Sequence, residues 1–265
     1  MKESGETSGA RRVVAEERRR RVEELLRRQA VASLSEVMEV TGASEATTRR
    51  DLVLLERLGL LARTRGGARA VQRHSTLEEE FEIRQSRDRR EKRLIAQRAA
   101  GLIKDGMTLF LTDGTTAYAL AQCLVHRHLT VVTGALNVAQ LLASSAGIEV
   151  IVVGGQLRAT SFGTTGPLSV DTIRSLHADA AFICPDGITV EGGVRTFSLD
   201  DAASFRAMSE SSSRTVVLAS PAKIGFPARV RVIDWPQVHT LVAAPLAAEF
   251  TESLGQRGVE VLQAP

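Results

Sequence analysis

The sequence is poor in cysteine, and it has no long apolar run. Cys123 and Cys184 are its two cysteines, far apart and without C-x-x-C spacing. That usage argues against a disulfide framework and for a reducing, cytoplasmic setting. No run of about 18 apolar residues occurs, so no transmembrane helix is expected. The opening MKESGETSGA holds no apolar core. It does not read as a secretory signal, and a disordered tail is expected over residues 1–10. The histidines are scattered. His126 and His128 stand two residues apart, and on a helix such a pair would point apart. No Cys or carboxylate cluster joins them, so no metal site and no cofactor is expected. Neither a G-x-G-x-x-G fingerprint nor a P-loop is present, and there is no internal repeat.

What is present is a real core and an uneven charge. The chain has 265 residues, 43% of them hydrophobic, enough for one large domain or two ordinary ones. Residues 1–75 carry 16 Lys+Arg against 11 Asp+Glu, a balance of +5, and the remainder carries 18 against 20, or −2. A basic front module on a nearly neutral body is the electrostatic footprint of a protein that meets phosphate backbone with one part only.

The stretch 31–70, VASLSEVMEVTGASEATTRRDLVLLERLGLLARTRGGARA, reads as two short helices, a tight turn and a basic hairpin. Leu34, Val37 and Met38 lie at helical spacing. Thr41-Gly42 stops that helix, since Gly tolerates a left-handed cap. Ser44 stands where an N-cap belongs. The second helix sets Thr48, Leu52, Leu55 and Leu58 on one face, with Glu45, Thr47, Arg49 and Arg50 elsewhere. A helix that is apolar behind and polar-basic at its start suits the major groove. Leu60-Leu61-Ala62 can begin a strand, and Arg65-Gly66-Gly67 can turn it into a wing. Upstream, Val14, Arg18, Val22, Leu25 and Leu26 form a helical stripe. The run Arg18–Arg21 has two readings, phosphate contact or a solvated face balanced by Glu16, Glu17, Glu23 and Glu24, of which the second is favoured.

Ser44, Thr47-Thr48-Arg49-Arg50-Asp51-Leu52, Leu55-Glu56, Gly59 and Arg65-Gly66-Gly67-Ala68 together resemble, in order and spacing, the DNA-binding domain of the DeoR family of bacterial transcriptional regulators. Thr48 departs from that family's usual Ile or Val. The resemblance implies contacts to double-stranded operator DNA from Ser33, Ser44, Glu45, Thr47, Thr48, Arg49, Arg50, Arg65, Gly66 and Gly67.

Helical periodicity resumes over 91–103, after a polar stretch read as a connection over 73–90. Beyond it, β-branched runs at 108–111, 129–132, 149–153, 180–183, 215–218 and 240–242 alternate with helix-like pieces at 116–124, 137–144 and 200–211. That alternation implies a mainly parallel sheet covered on both faces. The expected fold class is α/β with a separate N-terminal winged helix-turn-helix at 11–72 and an α/β effector-sensing and oligomerisation domain at 91–262. Loops at the carboxyl edge of such a sheet collect ligands. Three are candidates: Thr112-Asp113-Gly114-Thr115-Thr116, Gly154-Gly155, and Ser220-Pro221-Ala222-Lys223. Free amides at a helix start and the two hydroxyls can hold a phosphate.

Residues 75–250 resemble the effector-sensing domain of the same family, which is similar in fold to ribose-phosphate isomerase, glucosamine-phosphate deaminase and coenzyme A transferases. The resemblance implies a phosphorylated sugar or related metabolite as effector. It would be held by Asp113, Gly114, Thr115, Thr116, Gly154, Gly155 and Lys223, in a homodimer or homotetramer. Four positions depart from the pattern. Asp113 replaces a serine and would repel phosphate unless turned away. Gly134 replaces an asparagine, Ala219 replaces an acid, and Cys184-Pro185-Asp186-Gly187 stands where a loop of small residues is usual. The expected function is a repressor of a sugar or carbohydrate operon. The alternative is a sugar-phosphate isomerase or deaminase with a DNA-binding appendage. Catalysis would need a positioned acid/base; Asp113, Asp186 and Glu191 have no recognisable catalytic spacing, so no catalytic residue is assigned.

Overall fold

The computed structural model describes residues 15, 17–26, 29, 31–57, 60–64, 66–70 and 81–265. The chain divides into two units, Met1–Leu77 and Glu78–Pro265. The expected tail at 1–10, Leu58, Gly59 and Arg65 lie outside the described residues.

In the first unit, α1 (residues 17–26) is followed by β1 (Val31–Ser33), α2 (Leu34–Thr41), α3 (Glu45–Arg57), β2 (Leu61–Thr64) and β3 (Gly67–Ala70). A capping box opens α2: the Ser33 hydroxyl accepts from the Glu36 amide, and the Glu36 carboxylate accepts from the Ser33 amide at 2.7 Å. Gly42 closes it with φ 64°, a left-handed conformation that costs a Cβ-bearing residue more. The three strands pair antiparallel in the order β1-β3-β2. Sequence reading had no strand at β1; three residues carry no period, and pairing with the wing makes them extended. Val22, Leu26, Val37, Leu52, Leu55 and Leu61 bury together as the core.

The second unit opens with α4 (Phe81–Ser86) and α5 (Arg89–Ala100). The stretch 81–90 was expected as connection and instead carries these helical turns. Phe81 explains the difference, since it is buried and meets Tyr118 and Phe162 edge-on at 5.8 and 5.6 Å. Those contacts are long-range and leave no local period.

Then follow β4 (Thr108–Leu111), α6 (Thr115–Leu124), β5 (Leu129–Thr133), α7 (Leu136–Leu142) and β6 (Ile148–Val152). A hairpin, β7 (Gln156–Arg158) and β8 (Gly163–Thr165), leads to α8 (Pro167–Arg174) and β9 (Ala180–Ile183). A second hairpin, β10 (Gly187–Thr189) and β11 (Gly193–Thr196), precedes α9 (Leu199–Glu210), β12 (Thr215–Ala219) and a 3-10 turn at Pro221–Lys223. The chain ends with β13 (Val230–Ile233), a 3-10 turn at Trp235–Gln237, β14 (Thr240–Ala243), α10 (Ala248–Gly255) and β15 (Glu260–Gln263).

Seven strands form one parallel sheet in the order β15-β14-β12-β9-β4-β5-β6. One core lies on each face, as expected of a sheet covered on both sides. The order reverses between β4 and β9. From β4 the chain steps outward to β6, then restarts at β9 and steps the other way. At such a switch point the carboxyl-end loops run to opposite sides of the sheet, which is where folds of this kind bind ligands.

Candidate functional site

On the first unit the candidate surface is the start of α3. Ser44 caps it, accepting from the Thr47 amide at 3.4 Å and meeting the Thr47 hydroxyl at 3.0 Å. Glu45 and Arg49 are exposed and paired at 2.7 Å. Arg50 is exposed and has no ion pair among the described residues. Thr48 is corrected: it is buried, its hydroxyl finds no partner, and it faces the core rather than any groove. Gly67 is corrected as well. It is buried, and a Cβ there would strike the Ala32 carbonyl and lie 2.7 Å from Ser33 Cα, so the glycine serves strand packing. Gly66 is exposed, with open space beside it. Ser33 spends its hydroxyl on the α2 cap.

The arginine run divides its work. Arg18 gives two bonds to Asp51 Oδ2, at 2.9 and 2.8 Å, and Arg19 reaches Oδ1 at 3.2 Å. These bonds lock α1 to α3, a role that sequence reading had not considered. Arg20 and Arg21 pair with Glu17 and Glu24 along α1.

In the second unit the switch point gathers residues from distant segments. Thr112 follows β4, and its hydroxyl accepts from the Cys184 amide at 3.0 Å, joining the loops after β4 and β9. Gly114 takes φ 123° at the N-terminus of α6, where no side chain caps the helix. Thr115 and Thr116 are buried in its first turn. The Ala117 amide is directed at the Cys184 sulfur, so not every amide expected for an anion is available; burial pushes that thiol up to about 12. Asp113 stands directly before Gly114. Its carboxyl accepts from Ser161, and a Cβ on Gly163 would lie 2.8 Å from its Cγ.

Lys223 reaches Asp186 at 3.3 Å. The Thr196 hydroxyl and the Phe197 amide also donate to that carboxylate, at 2.7 and 3.1 Å. Burial alone would raise Asp186, but Lys223 and these two donors outweigh it and hold the carboxyl below its ordinary value. Arg84, on α4, donates to the Thr160 carbonyl at 3.1 Å, while its buried Nε has no partner. Arg158 pairs with Asp201. Lys92, on α5, donates to the carbonyls of Arg84 and of Arg87, the latter at 2.7 Å. Burial pushes it down to about 7, with Asp88 opposing and Lys223, Arg87 and Arg84 adding to the fall. Asp88 in turn accepts from the Ala222 amide at 3.3 Å. Arg84, Arg158 and Asp186 thus join Asp113 and Lys223, and only Asp186 of these three had been weighed from sequence.

The glycine pair sits elsewhere. Gly154 and Gly155 follow edge strand β6 and lie against α8, where Ser169 donates to the Gly154 carbonyl at 2.5 Å. A Cβ on Gly155 would strike the Ser169 hydroxyl. The pair is a packed turn, two strands away from β4. Among the described residues no His/Cys/Asp/Glu group can hold a metal ion, and no helix is long and apolar enough to cross a membrane.

Two family profiles match the chain: a DeoR-like helix-turn-helix domain over residues 18–74 and the DeoR C terminal sensor domain over 87–244. The chain belongs to the DeoR family. It is a DNA-binding transcriptional regulator, not an enzyme. A protein described as an aga operon transcriptional repressor from Escherichia coli O157:H7 is 30% identical over 262 residues, 97% of each chain. The transcriptional repressor CsqR of Escherichia coli K12 is 30% identical over 90% of this chain and 91% of its own. The lactose phosphotransferase system repressor of Staphylococcus aureus NCTC 8325 is 31% identical over 79% of this chain and 84% of its own. Among solved structures, the ribose 5-phosphate isomerase A of Methanocaldococcus jannaschii aligns with 50% of this DeoR-family chain and 53% of its own, at 16% identity and TM-score 0.37. At that score the likeness carries no argument about ligand or chemistry.

Proposed function

We propose that this DeoR-family regulator represses a carbohydrate operon in the cytoplasm and is released by a phosphorylated sugar or related metabolite. The effector occupies the crevice between β4 and β9. The observation that carries this reading is the approach of Arg84 and Arg158 to Asp113, directly before the uncapped start of α6, and of Lys223 to Asp186 and Cys184, with the buried Arg84 Nε still lacking an acceptor. A helix N-terminus favours an anion by roughly 0.3–2 kcal/mol through its dipole. Relatives named as repressors of the aga operon and of the lactose phosphotransferase system support the carbohydrate reading. In this reading Gly114, Thr115 and Thr116 hold the phosphate, Lys223 and Arg84 neutralise it, and Asp113 and Asp186 face the rest of the ligand.

Winged helices of this kind read paired half-sites as dimers, so the DNA-bound form is a homodimer or homotetramer. Arg50, and Arg49 once it leaves Glu45, are the base-reading candidates. Ser44, Thr47, Gly66 and Arg65 are the backbone contacts. The effector acts by binding the DNA-competent and DNA-incompetent arrangements with different affinity. A panel of sugar phosphates tests the reading by two measurements, the unfolding temperature of the full chain and release from operator DNA. A ligand that binds only the folded state raises that temperature, and Lys223→Ala should reduce the rise. No response to any phosphorylated sugar would point to a different effector class.

A further inference from the structure

We propose that Asp113 makes this crevice proton-linked, so that it takes up its anionic ligand together with a proton on the Asp113 carboxyl. The inference rests on the anion-binding reading above and adds its regulation. Asp113 immediately precedes Gly114, the first residue of α6's uncapped end, so any anion seated there lies beside this carboxyl. The side chain is half-buried. Gly163 presses on it so closely that a Cβ would lie 2.8 Å from Cγ and 3.0 Å from Oδ2.

The charged groups around it come from every neighbouring element. Arg84 faces it from α4, Arg158 from β7 and Asp186 from the loop after β9, with the Cys184 thiol alongside and the Ser161 hydroxyl donating. Those cations are committed elsewhere: Arg158 to Asp201, Arg84 to the Thr160 carbonyl, and Lys223 to Asp186. Among the described residues none forms an ion pair with Asp113.

Burial raises the Asp113 carboxyl, and Asp186 pushes the same way, while Ser161, Arg84 and Arg158 oppose. A second negative charge seated next to it raises it further, because charges interact strongly where water is excluded. Linkage is reciprocal, so the proton that the anion draws in must also tighten the anion. The sign follows directly. Affinity is highest where Asp113 is protonated and falls as pH rises through its titration, by up to about tenfold per pH unit for one proton.

Sulfate is the probe, because its charge is constant over the relevant pH range. Its affinity for the full chain is measured by calorimetry from about pH 5 to pH 8.5, in buffers of different ionisation enthalpy so that proton uptake is counted. Wild type should bind more weakly at each higher pH and take up a proton. Asp113→Asn should lose that uptake and bind more tightly than wild type at the alkaline end. Asp113→Ser should behave alike and guards against a folding defect peculiar to one variant. Lys92 titrates nearby at about 7, so the decisive quantity is the difference between wild type and variants. The same pH profile and proton count in wild type and both variants overturns the proton linkage while leaving the anion pocket standing. Sulfate binding to none of the three at any pH overturns the pocket itself, and the linkage with it.

Discussion

At the start of α3 in the DNA-binding unit the charged pair lies in the open and joins near neighbours in sequence. Beside the β4–β9 switch point of the effector unit the pair is partly buried and joins distant segments. Arg49 and Glu45 are four residues apart, with side chains 61% and 59% exposed. Lys223 and Asp186 are 37 residues apart and only 25% and 12% exposed. Exposed pairs are screened and contribute little to stability, which leaves such arginines free to exchange a carboxylate for a phosphate. Buried charges are costly unless hydrogen-bonded. A ligand that alters one of them alters the balance of the whole cluster. The first arrangement suits a surface that must meet a long polyanion in many places. The second suits a sensor that must answer to one small molecule.

The strongest test of this separation uses two close-packed glycines, one in each unit. A Cβ on Gly67 would strike the Ala32 carbonyl in β1, and one on Gly187 would strike the Phe226 carbonyl. Neither obstacle is a flexible side-chain end, so backbone must move. Overpacking of that kind costs about 1–3 kcal/mol and sometimes more. Gly67→Ala should abolish operator binding and leave the unfolding of the effector unit unchanged. Gly187→Ala should lower the effector unit's unfolding temperature and leave operator binding intact. Differential scanning calorimetry with an operator shift assay reads both. Loss of both properties in either variant would mean that the two units do not hold their structures independently.

The same contrast decides how much could be read in the sequence. The recognition helix was legible because its cap, apolar stripe and arginines lie within about a dozen consecutive residues. The strands β4 and β9 carry β-branched or apolar runs and match their expected bounds, and the remaining sheet strands expected from sequence came within one residue at each end. The hairpins β7–β8 and β10–β11 are three or four residues each, rich in Gly and Thr, and gave no alternating signal. The residue cluster at the switch point was half legible. Asp113 and Lys223 drew notice because they follow strands, whereas Arg84 and Arg158 approach from α4 and β7, where no local period marks them. Cys184 stood out only as an odd residue in its loop, and its sulfur at the start of α6 is a tertiary fact. Gly154-Gly155 shows the opposite error, a strand-end glycine pair whose geometry serves a turn.

Lys92 offers the next largest effect. It is buried and bonds two carbonyls at the α4–α5 turn. Lys92→Met strands both acceptors, at a cost on the order of 2–4 kcal/mol. The pH dependence sharpens the assignment. The folded value of about 7 lies below the ordinary lysine value of about 10.4. Protonation is therefore penalised in the folded state, and stability rises as pH climbs from about 7 toward 10. The gap between wild type and Lys92→Met should widen over that range. Asp113 acts in the opposite direction, with stability falling as pH rises through its raised folded value, but it is present in both proteins and cancels. A gap that stays constant with pH would mean that Lys92 remains charged throughout.

Asp51 ranks below it, because its partners are only partly buried: Arg18 and Arg19 are 19% and 30% exposed. Asp51→Asn removes the charge that holds both arginines across α1 and α3. The expected loss is about 1–3 kcal/mol in the DNA-binding unit, below the roughly 3–5 kcal/mol that breaking a fully buried pair costs. Thermal unfolding should show it in that unit alone. Operator affinity should fall even though Asp51 itself is buried, since α3 loses its brace. Unchanged affinity would show that the orientation of α3 is set by the apolar core alone.

The smallest effect on stability, and the most specific, is expected at Glu45. Its pair with Arg49 spans one helical turn, and such pairs contribute about 0.2–0.5 kcal/mol, so Glu45→Gln should hardly move the unfolding temperature. It should nevertheless change DNA binding, because it frees Arg49 and removes a negative charge from the face that meets DNA. If Arg49 then takes a phosphate, affinity rises equally on operator and scrambled duplex, and the slope of log K against log salt steepens by about 0.9. Among the described residues Arg50 has no such pair to surrender, so Arg50→Ala should remove only what Arg50 gives to DNA. For a base-reading arginine that is about 1–3 kcal/mol on operator and far less on scrambled sequence. Measuring both variants on both duplexes across a salt series separates the two roles. Equal losses on the two duplexes for Arg50→Ala would remove it as a base reader, and a changed operator preference in Glu45→Gln would transfer that role to Arg49.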